Sequence, residues 1–414
     1  MGRALTAILA LLVLAGACGG RSAGPGPANT VLSSTAPVPT AISPVQATVP
    51  APSPSSTDAV DGSEPLLLAL SVHVERHPGE AADRTLFEEH LALLDRLAST
   101  AEAHGVVLNF EAETEFVTAA SAHDGATAIG ALIARGHRFS QHSGDRSTSG
   151  LDRAGRTAEL RRQRDALASL GVDARYLSGA CPGDGWVEAA VDAGFEAATG
   201  LTEICLQSLD DAHLPAGMGW IRSCASATIC HDVLQLEPAA SLHPWTTDES
   251  AAWLTDVPDG ALLLVAGHAT EALTAMSAGT AVDPDAAVGA FTAELDALLA
   301  ARTPGRLNAT GYTLSVGPEP DWTTLDAILS VAASRAGQLR WVSYDEIIDL
   351  AAAEAGAPAD PPMAYVDTSP DTAGSSAGPN GGGRSGQLQA GRDGVEQSLR
   401  VVVDTAEVHV GEAP

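Results

Sequence analysis

The chain has 414 residues, of which 45% are hydrophobic and 41 are glycine, so it is long enough to bury one sizeable core. Its formal net charge of −30 disfavours a nucleic-acid partner, because binding to a phosphate backbone depends on clustered Lys and Arg side chains. One large domain is the simplest organisation that fits these values.

The first residues are typical of an export signal. Arg3 supplies a basic start, Leu5 to Leu14 form an apolar run, and the small residues Ala15-Gly16-Ala17 precede Cys18. This ending resembles the cleavage box of bacterial lipoproteins. The apolar run is shorter than the roughly 20 residues that span a bilayer. We expect residues 1–18 to be a signal peptide that ends at a lipidated Cys18, with an ordinary signal peptide or a membrane anchor as alternatives.

Two low-complexity segments enclose the part of the chain that can fold. Residues 19–62 are rich in Pro, Ser, Thr, Ala and Gly, a composition that buries too little apolar surface to offset chain entropy. We predict a flexible, disordered tether there, and one folded domain over 63–354. The first part of residues 355–414 is again rich in small and polar residues, and we predict a low-complexity tail there. The apolar residues near its end could add a terminal strand.

Between these segments the chain repeats an amphipathic helix that ends at a glycine and precedes a short β-rich run. The first copy ends at Gly105, before the strand Val106 to Phe110, and similar copies follow as far as Trp341. Strands that alternate with helices pair in parallel. This many copies predict an α/β fold, a closed or nearly closed β/α barrel with its site at the carboxyl ends of the strands.

Four cysteines follow Cys18, at positions 181, 205, 224 and 230. Export implies an oxidising compartment, so we predict two disulfides, and the sequence does not distinguish the three possible pairings. A metal cluster of Cys224, Cys230 and His231 is the alternative. Its spacing matches no familiar zinc pattern, which favours the disulfides.

Three histidines fall at predicted strand ends. His142 closes the run Gly136 to Ser143, His73 closes a hydrophobic run, and His268 follows another. Residues two apart on a strand share a face, so His73 and Glu75 can both point at one metal. Two imidazoles and a carboxylate would make a zinc set with an open water position. A buried ion pair of His73 and Glu75 is the alternative, and His268 could instead be a hydrogen-bonded strand-end residue.

In their order along roughly residues 66–350, these segments resemble the polysaccharide deacetylase family, the NodB-like carbohydrate esterases. The best match is Arg135 to Ser143. Ser178 to Gly183, Leu262 to His268 and Trp341 to Ile347 are similar to later family segments. The resemblance implies a distorted (β/α) barrel that hydrolyses an acetyl group on a sugar. It also implies a divalent metal, for which we expect zinc, that polarises the acetyl carbonyl and activates water.

The resemblance also implies roles for single residues. His142 corresponds to the first metal histidine of the family and His268 to its general acid. His73 takes the place of the catalytic base.

Two ligand positions depart from the family pattern. Apolar Val74 stands where the family has a metal-binding aspartate, so Glu75 is expected to supply the carboxylate. Arg146 stands where the family has its second metal histidine, and Asp145 is the nearest substitute. The family's substrate-loop arginine also has no counterpart, since Leu177 or Ser178 lies near its place.

Three further residues are candidates for substrate binding. Asn109 and Glu111 alternate on one face after the second strand, and Trp245 could stack on a sugar ring. A solvated strand edge explains the first two equally well, and burial in the core would explain Trp245.

The leading hypothesis is an exported, lipid-anchored hydrolase that deacetylates a cell-envelope or extracellular glycan. It would be a monomer on the outer face of the cytoplasmic membrane, held there by its lipid, with a glycan as substrate and no nucleic-acid partner. The alternative is a glycan-binding lipoprotein that keeps the fold without a complete metal site, as Val74 and Arg146 suggest. A third hypothesis is a receptor for a transporter, which would have two open-sheet lobes.

Overall fold

A computed structural model describes residues 64–354 apart from 76, 145–147, 149, 225–229, 231, 235, 269–272, 274–282 and 317–318. These residues belong to one unit of the chain, Thr57–Pro414. The predicted signal peptide with Cys18, the tether and the tail lie outside the described residues and stay predictions. Within the described part, no helix is both long and apolar enough to cross a membrane.

The strands in chain order are β1 Leu66–Val74, β2 Leu108–Ala112, β3 Arg138–His142, β4 Tyr176–Ser178, β5 Ala197–Ala198, β6 Trp245–Thr247, β7 Leu262–Leu264, β8 Gly267–His268, β9 Ala309–Val316 and β10 Leu339–Trp341. The α-helices are α1 Arg84–Ala103, α2 Thr114–Ala122, α3 Ala126–Ala134, α4 Arg153–Ser169, α5 Trp186–Ala193, α6 Pro238–Ser241, α7 Pro284–Ala301, α8 Trp322–Ala333 and α9 Tyr344–Glu354. Short 3-10 helices occupy Glu203–Ser208, Met218–Ser223 and Ser250–Ala252.

The helices begin and end at local sequence signals. Asp83, Asp152 and Asp321 cap α1, α4 and α8, since each carboxylate accepts a backbone N–H from the first turn. Gly105 follows α1 with a φ of 70°, and Gly171 follows α4 with a φ of 84°. Glycine adopts this left-handed conformation without steric cost. The predicted pattern of helix, glycine and strand is confirmed at both places.

The sheet closes into a barrel. The central strands pair in parallel in the order β5-β4-β3-β2-β1-β9. β7 pairs with β5, and β8 pairs with β9. Only Val265 and Ala266 separate β7 from β8. The segment from β7 to β8 therefore pairs with β5 at one end of the strand order and with β9 at the other end. The predicted distorted barrel is confirmed, and one continuous barrel is incompatible with the two-lobed receptor hypothesis.

Alternate residues of β1 face two separate cores. Leu66, Leu68 and their even-numbered neighbours pack beneath the surrounding helices. Leu67 and Ala69 instead lie inside the barrel, in a cluster with apolar residues of α9. Burial of a leucine side chain such as that of Leu67 contributes about 1.5–3 kcal/mol. Because this inner cluster fills the barrel near the start of β1, the polar residues that follow on the same face lie nearer its mouth.

The four cysteines of the domain form two pairs. Cys181 pairs with Cys205, with 5.1 Å between Cα atoms, and Cys224 pairs with Cys230, with 6.5 Å between Cα atoms. This selects one of the three pairings that the sequence left open. Since Cys224 and Cys230 pair with each other, they do not form the alternative metal cluster.

Candidate metal centre

The inner face of β1 turns polar near its carboxyl end. Ser71 and His73 follow the apolar residues Leu67 and Ala69 on that face, because side chains alternate along a strand. Val72 and Val74 point the other way, into the core beneath the helices. His73 is 7% exposed and therefore lies at the inner edge of the barrel mouth.

Glu111 of β2 is the register partner of His73 and is fully buried. Its Oε1 atom accepts hydrogen bonds from Ser71 Oγ at 3.2 Å and Thr199 Oγ1 at 2.8 Å. Its Oε2 atom lies 2.9 Å from His73 Nε2. Two hydroxyls thus hold one carboxylate oxygen and direct the other at the histidine.

His142, the last residue of β3, completes the cluster. Its ring stacks on the ring of His73 with centroids 4.1 Å apart and planes inclined by 27°. Its Nδ1 atom lies 2.7 Å from Oγ of Ser178, its register partner on β4. His73, Glu111 and His142 each offer a ligand atom, and these atoms all lie within 4.8 Å of one another.

The charges around His73 raise the pKa of its imidazole. Burial on its own lowers the pKa of this imidazole. The close Glu111 carboxylate, with the charges of Glu75 and Glu113, outweighs burial and raises the pKa above its ordinary value. The site therefore has a negative potential that suits a cation.

The donors of this cluster fit a divalent metal. His73 Nε2 and Glu111 Oε2 are both buried, and neither makes an aligned hydrogen bond despite their close contact. A Cβ at Gly200 would lie 3.7 Å from His73 Nε2, so the glycine leaves room beside that atom. Ser178 holds the second nitrogen of His142, as hydrogen-bond partners do for metal-binding histidines. Two imidazoles and one carboxylate are a ligand set that zinc takes with a fourth position open.

The carboxylate of the cluster differs from the predicted one. Glu75 was expected to share a face with His73, but β1 ends at Val74, and Glu75 lies beyond the strand and is partly exposed. Strand alternation therefore does not orient its side chain. Glu111, predicted to bind substrate, is instead the carboxylate that lies beside His73 and His142. Asp145 and Arg146 lie outside the described residues, and the predicted ligand role of Asp145 stays a prediction.

The structure places His268 away from this cluster. It is the register partner of Tyr312, which packs with Phe291 of α7 in the core beneath the helices. Its Nε2 atom lies 3.1 Å from Ser241 Oγ, and its Nδ1 atom lies 3.1 Å from Glu294 Oε1. Because the side chain faces the helices and not the barrel interior, this geometry does not support the predicted role of general acid.

Two predicted substrate-binding residues have structural partners. Asn109 is fully buried, donates to the Leu70 carbonyl and accepts the backbone N–H of Tyr344 at 3.0 Å. Trp245 is 2% exposed, and its indole N–H donates to the Trp253 carbonyl at 2.8 Å. A ring enclosed by protein cannot stack on a sugar, so Trp245 is a core residue.

Sequence reasoning missed the hydroxyl residues that support the cluster. Ser71, Thr199 and Ser178 lie on β1, just after β5, and on β4, so they are distant in sequence and adjacent only across the barrel. Their sole local signal is a polar residue at the end of an apolar strand. His137, at the start of the same segment as His142, accepts the Leu108 backbone N–H at 3.0 Å and is almost fully buried.

Fold and site together define a β/α-barrel protein with a buried His–Glu–His cluster at the barrel mouth. The sequence matches no protein-family model and no curated protein. Several solved structures are similar to this chain, among them two whose names include polysaccharide deacetylase.

A Mycobacterium smegmatis protein assigned as a polysaccharide deacetylase matches with 15% identity and a TM-score of 0.46, over 74% of this chain and 96% of that chain. The chitin deacetylase of Colletotrichum lindemuthianum matches with 13% identity and a TM-score of 0.32, over 68% and 87%. The allantoinase PuuE matches with 13% identity and a TM-score of 0.46, over 68% and 89%. At such values the matches carry no information on activity, which is therefore inferred from the residues of this chain.

Proposed function

We propose that this chain is a metal-dependent hydrolase that removes acetyl groups from a glycan. The observation that carries this proposal is the convergence of His73, Glu111 and His142 at the mouth of the barrel, within 4.8 Å of one another. Barrel enzymes hold their reacting groups at this end of the strands. Zinc is the metal that this donor set suits best.

Each residue of the cluster has a defined part in holding the metal. A divalent metal bound there would polarise an acyl carbonyl and lower the pKa of a water molecule. Ser71 and Thr199 hold Glu111 Oε1, which leaves Oε2 for the metal. Ser178 Oγ lies 2.7 Å from His142 Nδ1 and orients the imidazole ring. His73 is then a ligand and not the base that the sequence suggested.

Two carboxylates near the cluster are candidates for moving the proton. Glu75 and Glu113 both contribute negative charge at His73. Glu113 Oε1 lies 3.0 Å from the position of a Cβ on Gly144, the residue that follows Ser143 beyond β3. A carboxylate there would accept a proton from the attacking water and return it to the departing amine or alcohol.

A second function, glycan binding without catalysis, is favoured by the direct contact of His73 Nε2 and Glu111 Oε2 at 2.9 Å. A buried histidine and carboxylate can satisfy each other as an ion pair with no metal. In that case the barrel mouth would bind an acetylated sugar and leave it intact.

Zinc titration and turnover separate the two functions. Purified protein is titrated with zinc and then supplied with an N-acetylated chitooligosaccharide and a chromogenic acetate ester. We expect zinc binding and deacetylation by the wild type, and loss of both in His142→Ala. His213→Ala, which changes an exposed histidine, is the control. Glycan binding without turnover supports the second function, and no zinc binding contradicts the hydrolase.

Export and lipid attachment are a separate proposal, supported by Arg3, the apolar run Leu5 to Leu14 and Cys18. The protein would then act as a monomer on a cell-envelope or extracellular glycan outside the cytoplasmic membrane. Metabolic labelling with a radioactive fatty acid tests this. Label is expected on the wild type and absent from Cys18→Ser, and an unlabelled wild type contradicts the anchor.

A further inference from the structure

Tyr344, the first residue of the last described helix, contacts Ser71, one of the residues that hold Glu111 in the cluster. Tyr344 begins α9, which closes the inner core of the barrel, and it is 1% exposed. Its hydroxyl lies 3.1 Å from Ser71 Oγ, and Ser71 in turn lies 3.2 Å from Glu111 Oε1. A chain of three side chains thus joins α9 to the carboxylate of the cluster.

The direction of these hydrogen bonds follows from the groups present. An ionised carboxylate can only accept hydrogen bonds, so Ser71 donates its single hydroxyl hydrogen to Glu111 in a hydrogen bond. Ser71 Oγ can then accept a hydrogen bond, and the Tyr344 hydroxyl, 3.1 Å away, is the donor within reach. Burial and the charge of Glu111 raise the pKa of Tyr344, so its hydroxyl keeps this proton at neutral pH.

The surroundings of Tyr344 are shaped for this contact. Asn109 Oδ1 accepts the backbone N–H of Tyr344 at 3.0 Å, which fixes the start of α9 beside β2. A Cβ on Gly311 of β9 would clash with the Tyr344 hydroxyl. The residue at position 311 therefore leaves the space that the hydroxyl occupies.

We propose that Tyr344 is a positioning residue that orients Glu111 toward the metal through Ser71. This rests on the proposed function, because it requires that Glu111 bind a metal. Changes to hydrogen-bond partners of metal ligands weaken metal binding by about 10- to 100-fold. Because Tyr344 acts one step further out, we expect Tyr344→Phe to raise the Kd for zinc by about three- to tenfold.

Tyr176→Phe is the matched control. Tyr176 is also fully buried inside the barrel, and its ring lies 5.0 Å from that of Tyr344. Among the described residues, its hydroxyl has a hydrogen bond to Asn109 Oδ1 at 3.4 Å and none to Tyr344, Ser71 or Glu111. Both substitutions remove one buried hydroxyl from the same core, so a purely structural effect would be equal in the two proteins.

Gly311→Ala provides an independent variant, because it displaces the Tyr344 hydroxyl without removing it. Zinc Kd is measured for the full chain by competition with a chromophoric chelator, together with the absorption spectrum of bound cobalt and the melting temperature in EDTA. We expect Tyr344→Phe and Gly311→Ala to weaken zinc binding and shift the cobalt spectrum, and Tyr176→Phe to change neither.

The outcomes separate this inference from the proposed function. If the wild type binds no zinc, both are wrong. If the wild type binds zinc and Tyr344→Phe binds it within about twofold of the wild type, Tyr344 does not position Glu111, while the metal centre stands. Equal weakening by Tyr344→Phe and Tyr176→Phe also overturns the inference, because the effect would then come from general loosening of the core.

Discussion

The Nε2 atom of His73 lies 2.9 Å from the Oε2 atom of Glu111, and the two residues are register partners on adjacent strands. Taking a carboxylate out of water costs several kcal/mol unless its oxygens are satisfied. Ser71 and Thr199 satisfy one oxygen, and His73 neutralises the other. A divalent cation held between these groups and His142 would satisfy the same atoms.

Glu111→Gln tests this arrangement directly, because the amide has the same shape and no charge. We expect the zinc Kd to rise by at least about 100-fold, more than a change to a supporting hydrogen bond produces. The measurement is a zinc titration with the melting temperature in EDTA recorded alongside. Glu113→Gln is the control. It should retain zinc binding, and a zinc Kd of Glu111→Gln equal to that of the wild type contradicts the ligand assignment.

Ser178→Ala removes the hydroxyl that holds His142 Nδ1 at 2.7 Å. The imidazole then loses its orienting partner, and we expect the zinc Kd to rise by about tenfold. Ser140→Ala is a matched control, since Ser140 is equally buried on β3 and bonds only the Tyr176 carbonyl among the described contacts. Isothermal titration with zinc measures both. Equal affinities in the two variants would show that Ser178 has no part in metal binding.

The barrel could be predicted from the sequence because its signals are local. Helical periodicity, a glycine such as Gly105 and a short apolar run recur in order, and each depends only on neighbouring residues. The ends of those runs also located His73 and His142 correctly at the mouth. The positions of these two histidines follow from the fold, because the carboxyl ends of parallel strands all lie at one side of the barrel.

The carboxylate of the cluster could not be predicted, because its place beside His73 depends on cross-strand register. Alternation suggested that Glu75 shares the face of His73, yet the strand stops at Val74, and the carboxylate comes from Glu111 across the sheet. His268 shows the same limit. In a strand of two residues, local alternation does not say which side chain faces the interior, and its pairing with β9 turns it outward.

The pH dependence of stability and of zinc binding should have opposite signs around His73. The folded protein raises the pKa of this imidazole, chiefly through Glu111 after the opposing effect of burial. The stability that protonation adds is complete below the ordinary pKa of 6.5 and is lost as pH rises through the raised value. Zinc needs the neutral imidazole, so its affinity increases over the same range.

The test is a comparison of melting temperatures in EDTA and zinc affinities from about pH 6 to pH 9. We expect the stability difference between the wild type and Glu111→Gln to shrink as pH rises, because the variant lacks the charge that raises the pKa. Zinc affinity of the wild type should increase meanwhile. A stability difference that grows with pH would show that Glu111 does not raise the pKa of His73.

The two disulfides should contribute unequally to stability. Cys181 and Cys205 are 24 residues apart, whereas Cys224 and Cys230 are 6 apart. Loop-closure entropy predicts about 3.5 kcal/mol for the longer loop and about 2 kcal/mol for the shorter one. The double variant Cys181→Ser/Cys205→Ser should therefore lose more stability than Cys224→Ser/Cys230→Ser in urea unfolding under oxidising conditions.

The longer loop also begins three residues after Ser178, so loss of the Cys181–Cys205 disulfide should weaken zinc binding as well. Equal zinc affinity in both double variants would show that this disulfide supports the fold without ordering the metal centre.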